Sequence, residues 1–347
     1  MAHPHIVVIG ASAGGVETLL TLVRQLPADF PAPIFVVLHI APHSPSQLPS
    51  ILSRAGTLPA VHAYDGQEFQ PGHIYIAPPD HHLLLEDRHV GVKKGPRENR
   101  VRPAVDALFR SAAYTHGPAV IGVVLSGLLD DGTSGLWTIQ RLGGRTLVQD
   151  PDEALFDAMP RNALQHVDVD AVLPAAEIGT LLTGLVRGPP PESAAPDLPP
   201  REQARLRAEV LITAGRSGYE LGVMQYGEPT PLTCPECQGT LVQMQDGTLT
   251  RYRCHTGHAY TADTLLADLT QSAEAQAYQM LRAMEETSML LRQLGQRFGA
   301  ASDPAAGAFL QQACETERRT HLIRELLWQT ASLSKEKLRA EEPAARE

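Results

Sequence analysis

The stretch that decides the fold is Ile6-Val7-Val8-Ile9-Gly10-Ala11-Ser12-Ala13-Gly14-Gly15, close to the beginning of the 347-residue sequence. Its first four residues are apolar without alternation, which predicts a strand buried on both faces. The glycines that follow permit a tight turn, and the apolar spacing from Val16 to Leu26 predicts a helix. A buried strand that passes through a glycine-rich turn into a helix is typical of the first unit of a parallel sheet.

The same alternation recurs along the first half of the chain. Short runs of mainly apolar residues that predict further strands occur at residues 34–38, 120–125 and 146–148. Helical patterns follow the first two of them, at residues 47–54 and 134–142. This order indicates an α/β fold with a doubly wound, mainly parallel sheet of the Rossmann-like kind. Short, closely spaced runs between residues 74 and 92 predict an antiparallel hairpin attached to that sheet.

Prolines mark the main division of the chain. The sequence from Gly188 to Pro200 is rich in proline, which lacks the N–H that helices and sheets need, and it predicts an extended linker. Two helical patterns near heptad spacing end the chain; they favour a hairpin that buries its own apolar stripe, with a homodimer through these helices as the alternative. We therefore divide the chain, in order, into an α/β domain at residues 1–187, the linker at 188–200, a helical connector at 201–230, a cysteine-containing segment at 231–262, a helical hairpin at 263–335 and a charged tail at 336–347.

The bulk composition argues against several classes of protein. A net charge of −10 argues against nucleic-acid binding, which selects basic faces. No run approaches the roughly 18 apolar residues of a membrane span, so we expect no membrane insertion. The first residues, Met1 to His5, lack the cationic and apolar parts of a secretion signal. Three of the four cysteines lie in one short segment, which suits a reducing compartment better than disulfides, so we expect a cytoplasmic protein.

The glycine-rich turn has three interpretations. Gly10-x-Ser12-x-Gly14 has the spacing of a nucleophile elbow, which lifts a serine hydroxyl above the sheet beside free N–H groups. A dinucleotide-binding turn would need glycine in place of Ser12 and an acidic residue at the end of the second strand, where this chain has His39. Ser12 could also only cap the helix. The turn alone does not decide between a cap and a nucleophile.

Two further predicted strands end in residues that can carry chemistry. His39 ends the second strand, and Asp130 and Asp131 follow the strand at residues 120–125. Because the carboxyl ends of parallel strands gather at one edge, Ser12, His39 and one of the aspartates can converge there. A serine becomes nucleophilic when a histidine accepts its proton and a carboxylate orients that histidine. The residues therefore indicate a serine hydrolase, in a chain order Ser–His–Asp that differs from that of the α/β-hydrolases.

Several separated motifs resemble the catalytic domain of the chemotaxis protein-glutamate methylesterases, the CheB family, over roughly residues 5–185. These motifs are Val8-Ile9-Gly10-Ala11-Ser12-Ala13-Gly14-Gly15, Val37-Leu38-His39, Ile76-Ala77-Pro78-Pro79-Asp80-His81-His82-Leu83, Gly95-Pro96-Arg97-Glu98-Asn99-Arg100-Val101-Arg102-Pro103-Ala104-Val105-Asp106, Ser126-Gly127 with Asp131-Gly132, and Ala158-Met159-Pro160. The resemblance implies Ser12 as nucleophile, His39 as general base and Asp131 as the acid that orients it, with Asp130 as the alternative acid. It also implies the doubly wound sheet.

The resemblance implies an enzyme, a serine carboxylic-ester hydrolase. It would cleave glutamate methyl esters of chemotaxis-type receptors through an acyl-enzyme, and deamidate receptor glutamines by the same chemistry, without a cofactor for catalysis. Familiar members carry an N-terminal receiver domain, whereas this sequence starts at the catalytic domain, which predicts a stand-alone form. The family usually has Met-Gly where this chain has Leu128-Leu129. A regulatory or adaptor protein that keeps the fold with weak catalysis is the alternative, and a nucleotide-binding protein is a third hypothesis.

The cysteine-containing segment carries a second signal. Cys234-Pro235-Glu236-Cys237 is followed, after sixteen residues, by Cys254-His255-Thr256-Gly257-His258. Two pairs of soft ligands separated by a short hairpin suit tetrahedral Zn²⁺. We expect Cys234, Cys237, Cys254 and His258 to form a closed structural zinc site, with His255 as the rival for the fourth position. The alternative is a set of reduced cysteines without metal, and Cys314 is expected to be a small buried residue on the last helix.

Overall fold

The computed structural model describes residues 5–189, 197–300 and 305–329. The chain divides into two compact units, Met1–Leu265 and Leu266–Glu347. The first unit contains the sheets, and the described part of the second unit is helical. No helix among the residues described is long and apolar enough to cross a membrane.

The elements are numbered in chain order. The strands are β1 (Ile6–Ala11), β2 (Ile34–Leu38), β3 (Ala60–His62), β4 (Ile74–Ile76), β5 (His82–Glu86), β6 (His89–Lys93), β7 (Val120–Val124), β8 (Arg145–Gln149), β9 (Ala171–Leu173), β10 (Glu228–Thr233), β11 (Thr240–Asp246), β12 (Leu249–Cys254) and β13 (Ala259–Thr261). The α-helices are α1 (Gly15–Val23), α2 (Leu48–Ala55), α3 (Val105–His116), α4 (Thr133–Arg141), α5 (Ala158–His166), α6 (Ala175–Arg187), α7 (Pro200–Thr213), α8 (Ala262–Ala300) and α9 (Ala305–Gln329).

The main sheet has seven strands in the order β3-β4-β2-β1-β7-β8-β9. All of its pairs are parallel. The strand order reverses at β1, which has β2 on one side and β7 on the other, so the β1/β7 boundary is the topological switch point where ligands bind in such sheets. The predicted fold class, a doubly wound and mainly parallel sheet, is confirmed.

Helices cover both faces of this sheet. Along β1, Val8 faces the layer that contains Phe109 of α3, while Val7 and Ile9 face the layer that contains Leu22 of α1. Successive side chains of a strand point to opposite faces, so a strand buried on both sides must be apolar at every position. This explains the uninterrupted apolar runs of the sequence.

The predicted hairpin attached to the main sheet is only partly correct. β5 and β6 pair antiparallel, but they form a separate two-stranded sheet. β4, which the sequence grouped with them, instead lies in the main sheet and pairs parallel with β2 and β3. Pro78 and Pro79 follow β4 closely, and because proline has no N–H to donate, the chain leaves the sheet before β5 begins.

β10 to β13 form an antiparallel four-stranded sheet, called the ribbon below. The sequence places it behind a proline-rich linker, but in the structure it belongs to the same compact unit as the main sheet. The segment boundaries therefore stay predictions. Of the predicted linker, residues 190–196 lie outside the described residues, as does the whole charged tail.

Buried ion pairs join the ribbon to α3 and α7. Glu98 binds Arg110 of α3 and Arg253 of β12, each at 2.8 Å. Glu209 of α7 contacts Arg251 of β12 at 3.1 Å. All five side chains are at most 3% exposed. Charges removed from water in this way must be paired, so the ribbon and the α/β layers are fixed to each other.

The second unit confirms a helical C-terminal region. Arg292 of α8 binds Glu317 of α9 at 2.5 Å, and the rings of Phe298 and Phe309 stack 5.3 Å apart. The expectation for Cys314 is wrong: Cys314 is exposed on α9, and its Sγ lies 4.0 Å from the guanidinium of Arg292 on α8.

Candidate active site and metal cluster

Ser12 and His39 directly follow two neighbouring strands, β1 and β2, at the same edge of the main sheet. β1 and β2 are paired in register up to Ala11 and Leu38, and the His39 N–H donates to the Ala11 carbonyl at 3.1 Å. Ser12 and His39 are the next residues on the two strands, so their backbones lie roughly 5 Å apart at the carboxyl edge of the sheet. The convergence predicted from strand ends is present for these two residues.

Ser12 does not cap the helix that follows. The N-cap of α1 is Gly14, with a φ of 73°, and α1 begins at Gly15. The Ser12 N–H donates to the Ser126 carbonyl at 2.9 Å, and the Ser12 carbonyl accepts the Gly15 N–H at 2.9 Å. The backbone is thereby held in a turn at the N-terminus of α1, where helix N–H groups and the helix dipole favour negative charge. That is a suitable place for an oxyanion.

Gly127 makes room for Ser12. A Cβ at position 127 would lie 2.7 Å from the Ser12 Cβ and 2.1 Å from the Met159 Sδ, both too close for real contacts. The neighbouring Ser126 hydroxyl donates to the Ala13 carbonyl at 2.9 Å. The motifs around residues 126 and 159 therefore hold the serine turn from the β7 side.

His39 is hydrogen-bonded to Asp131, with His39 Nε2 and Asp131 Oδ2 2.7 Å apart. The two side chains are 13% and 3% exposed. Because Nε2 shares its proton with the carboxylate, a neutral imidazole leaves Nδ1 as a proton acceptor. This is the arrangement of a general base oriented by an acid.

Asp131 accepts hydrogen bonds at both carboxylate oxygens. Oδ2 accepts from His39 and from the Val105 N–H at 2.6 Å, and Oδ1 accepts from Asn99 Nδ2 at 2.8 Å and from the Asp106 N–H at 3.2 Å. Burial alone would raise the pKa of Asp131, but the hydrogen bond and charge of His39, with the Asn99 and Val105 donors, hold the pKa below its ordinary value. Asp131 is therefore a carboxylate near neutral pH.

Asp130 has a different environment. Its Oδ1 accepts the Thr261 hydroxyl at 2.8 Å, and burial raises its pKa to about 8. The Asp106 carboxyl is also buried, and desolvation and the nearby Asp131 charge raise its pKa to about 7. Of the two aspartates that the sequence left as candidates, the structure therefore brings Asp131 to His39 and turns Asp130 towards the ribbon.

Asn99 and Asp106 are neighbours of the site that sequence reasoning did not assign. Asn99 donates to Asp131 and to Asp106, at 2.8 Å each. Both residues belong to the quoted motif from Gly95 to Asp106, so the motif was visible while the role of each residue was not. A role that depends on a contact between separate segments has no local pattern in the sequence.

Three cysteines and one histidine of the ribbon form a cluster that can bind a metal ion. The ligand atoms of Cys234, Cys237, Cys254 and His258 all lie within 4.8 Å of one another. The Cys237 and Cys254 Sγ atoms are 3.6 Å apart, and His258 Nδ1 is 3.7 Å from the Sγ atoms of Cys234 and Cys254. A tetrahedral zinc ion with bonds of about 2.3 Å requires ligand separations of about 3.8 Å. His255, the rival ligand, is exposed and is not part of this cluster.

His258 also has a partner on its outer side. Its Nε2 lies 3.3 Å from Glu236 Oε2. Histidine ligands of metals usually donate their second ring N–H to a carboxylate or carbonyl, which fixes the tautomer. The donor set and this outer carboxylate fit a structural zinc ion, with no open coordination position for substrate.

A serine, a histidine and a carboxylate at the carboxyl edge of this sheet define the class of the protein as a serine hydrolase built on a doubly wound, parallel sheet. The family model of the CheB methylesterases matches residues 7–182. The chain belongs to the CheB methylesterase family.

Individual relatives are similar over the same region. A putative protein-glutamate methylesterase/protein-glutamine glutaminase of Leptospira interrogans is 38% identical over 180 residues, which are 52% of this chain and 93% of the relative. The protein-glutamate methylesterase/protein-glutamine glutaminase of Thermotoga maritima is 38% identical over 185 residues, 52% of this chain and 54% of the relative. The crystal structure of the Thermotoga maritima CheB methylesterase catalytic domain matches with a TM-score of 0.51 and 36% identity, covering 53% of this chain and 99% of that one.

Proposed function

We propose that the protein hydrolyses methyl esters of glutamate side chains, and deamidates glutamines by the same chemistry, with Ser12, His39 and Asp131 as the catalytic residues. The observation that carries the proposal is the 2.7 Å contact of His39 with Asp131 beside Ser12 at the switch point of the sheet. The substrate class follows from the names of the relatives, and methylated chemotaxis-type receptors are the proposed protein substrates.

The geometry supports a two-step reaction. The Ser12 hydroxyl attacks the ester carbonyl while His39 Nδ1 accepts its proton, and the N–H groups at the start of α1 face the developing oxyanion. The imidazolium, stabilised by Asp131, then protonates the methoxide, which leaves as methanol and gives an acyl-enzyme. Water, deprotonated by His39, attacks the acyl group and releases glutamate and Ser12. Ammonia replaces methanol as the leaving group when glutamine is the substrate.

The contacts of the site argue against the two other functions. An adaptor that retained only the fold would not need Asp131 to be held by four donors in the orientation that His39 requires. A nucleotide-binding protein would need an acidic residue where β2 ends, and the residue there, His39, is bound to Asp131.

Asp131→Asn should lower kcat for methanol release by about 10⁴-fold without unfolding the protein. Each Asp131 oxygen accepts two hydrogen bonds, so in either orientation the asparagine NH₂ would face two N–H donors, and the His39 tautomer would change. The measurement is release of labelled methanol from a methylated receptor, with the fold checked by circular dichroism.

Asp130→Asn is the matched control. The Asp130 carboxyl has a pKa of about 8 and accepts the Thr261 hydroxyl, so a neutral amide replaces a mostly protonated acid at neutral pH. This variant should lose less than about tenfold of kcat. The reverse ranking of the two variants would move the catalytic acid to Asp130.

We further propose that Cys234, Cys237, Cys254 and His258 hold a structural Zn²⁺. Binding of this ion is supported by the distances between the four ligand atoms and by the contact of His258 with Glu236. No metal or other cofactor takes part in the proposed hydrolysis. Reduced thiols able to hold zinc also support a location in the cytoplasm.

The purified protein should contain about one Zn²⁺ per chain, and Cys237→Ser should lose it, because three remaining ligands bind zinc far more weakly than four. The measurement is metal analysis of the purified chain by atomic emission. Cys314→Ser, which changes an exposed cysteine of α9, is the control and should keep the full metal content. Equal zinc content in wild type and Cys237→Ser would contradict the assignment.

A homodimer through the C-terminal helices stays a prediction. Exposed apolar side chains on these helices favour it, namely Tyr278, Met280, Met289, Leu290, Leu322, Leu326 and Trp328. Such side chains lose contact with water when helices associate.

A further inference from the structure

Asn99 lies between the metal cluster and the candidate catalytic acid. Its N–H donates at 2.8 Å to the carbonyl of Ala259, the residue that directly follows the metal ligand His258. The Ala259 N–H in turn donates to the Arg97 carbonyl at 3.2 Å. The first residue of β13 is therefore paired, backbone to backbone, with the loop that carries Asn99.

The ribbon also fixes the side chain of Asn99. Its Oδ1 accepts the Thr261 N–H at 3.1 Å and the Thr264 hydroxyl at 3.3 Å. With the oxygen held on that side, the NH₂ group faces Asp131 Oδ1 and Asp106 Oδ2, both at 2.8 Å. Asn99 is 4% exposed, so water cannot substitute for these contacts.

The orientation of this amide matters for the catalytic acid. If the amide turned over, its oxygen would face two carboxyl groups and its NH₂ would face the Thr261 N–H. Asp131 would lose one of its four donors, and the carboxylate that orients His39 would be less firmly held. A path of one peptide unit and a few hydrogen bonds thus leads from a zinc ligand to the catalytic acid.

We propose that the ribbon is a positioning part of the esterase site: β13 and the first turn of α8 fix Asn99, and Asn99 holds Asp131 for His39. The proposal rests on the proposed function and makes Asn99 a positioning residue that does not touch substrate. It also implies that zinc, although remote from the reacting atoms, is required for full turnover.

Asn99→Gly tests the contact with little damage to the backbone, because Asn99 has a φ of 50°, which glycine adopts freely. In the zinc-loaded protein, kcat should fall about 10- to 100-fold, as for loss of one hydrogen bond to a charged group, while KM changes little. The acid limb of the pH–rate profile should shift to higher pH, because the Asn99 hydrogen bond helps to lower the pKa of Asp131 and its loss raises that pKa. The titratable groups that face Asp131 are His39 and Asp106, with Asp130 adjacent in the chain.

Thr264→Val should shift kcat and the acid limb in the same direction, since it removes one of the two donors that fix the amide. Thr248→Val, the same change in the exposed β11–β12 turn, should leave both unchanged. If zinc-loaded Asn99→Gly has wild-type kcat and an unshifted acid limb, the proposal is overturned. This test needs no chelation, so it holds even if removing zinc unfolds more than the ribbon.

Removal of zinc tests the same path from the other end. Wild type from which zinc has been removed should lose about 10- to 100-fold of kcat and regain it when Zn²⁺ is added. Metal analysis of the same sample checks that the zinc is gone. Metal-free Asn99→Gly should lose almost nothing further, because both changes break one path. Full activity of the wild type without zinc would overturn the proposal. So would a loss of kcat in metal-free Asn99→Gly that equals the product of the loss from the substitution and the loss from zinc removal. Failure of the proposed function is separate, since it would appear as an active Ser12→Ala protein.

Discussion

Ser12→Ala should lower kcat for methanol release from a methylated receptor by about 10⁶-fold and leave the fold intact. The Ser12 N–H and carbonyl make the backbone bonds that hold the turn, and alanine keeps both. Its Cβ also keeps the close contact with Gly127. His39→Ala should lose a similar factor, and the double variant should lose little more, because the two residues act as one unit.

The measurement is a methanol-release assay beside a circular dichroism spectrum of each variant. Ser50→Ala, a change of an exposed serine on α2, is the control and should keep wild-type turnover. Mass spectrometry of the wild type quenched during turnover should find the acyl group on the peptide that contains Ser12. A folded Ser12→Ala protein with turnover near the wild-type value would contradict the serine mechanism.

The part of the fold that the sequence predicted is the part with local patterns. β1, β2 and β7 are uninterrupted apolar runs because helices cover them on both faces, and such runs are visible without any alignment. Ser12 and His39 could be placed together because both end parallel strands, whose carboxyl ends share an edge. β4 was grouped with the wrong partners, because a run of three apolar residues does not show which strand it pairs with.

The surroundings of the candidate acid could not be predicted in the same way. Asn99 and Thr261 are 162 residues apart in the sequence and are joined by a hydrogen bond in the structure. No sequence pattern beside Asn99 or Thr261 indicates this contact. The proline-rich stretch between them instead predicts that they belong to separate segments of the chain. Motif spacing gave the four metal-cluster residues, yet it gave no sign of the surface on which the ribbon packs.

The ion pairs beneath the ribbon are the clearest case of a feature hidden from the sequence. Arg110 of α3 and Arg253 of β12 share the Glu98 carboxylate, and the Thr213 hydroxyl of α7 donates to it at 2.7 Å. Burial alone would raise the pKa of Glu98, but the two arginines, with Arg251 nearby, hold the pKa well below its ordinary range. In the sequence, the glutamate and arginine residues of this cluster cannot be distinguished from charged residues of the protein surface.

Glu98→Gln should lower the free energy of unfolding of the first unit by about 3–5 kcal/mol, because it leaves Arg110 and Arg253 buried with less negative charge. The measurement is urea unfolding followed by Trp137 fluorescence in a Trp328→Phe background, which reports on the first unit. The folded-state pKa of Glu98 is depressed, so its contribution is fully present above the unfolded value of about 4.3 and is lost as the pH falls below it. The difference between wild type and variant should therefore be constant from about pH 6 to 8 and shrink below about pH 4.

Glu228→Gln provides the control, since it makes the same chemical change at an exposed position of β10. It should alter the free energy of unfolding by less than about 0.5 kcal/mol at any pH in this range. Glu98 directly precedes Asn99, so Glu98→Gln should also loosen the loop that holds Asp131. The folded Glu98→Gln protein should therefore have a lower kcat than wild type as well as a lower free energy of unfolding. A Glu98→Gln protein as stable as Glu228→Gln would show that the buried charge of Glu98 contributes no net stability to the first unit.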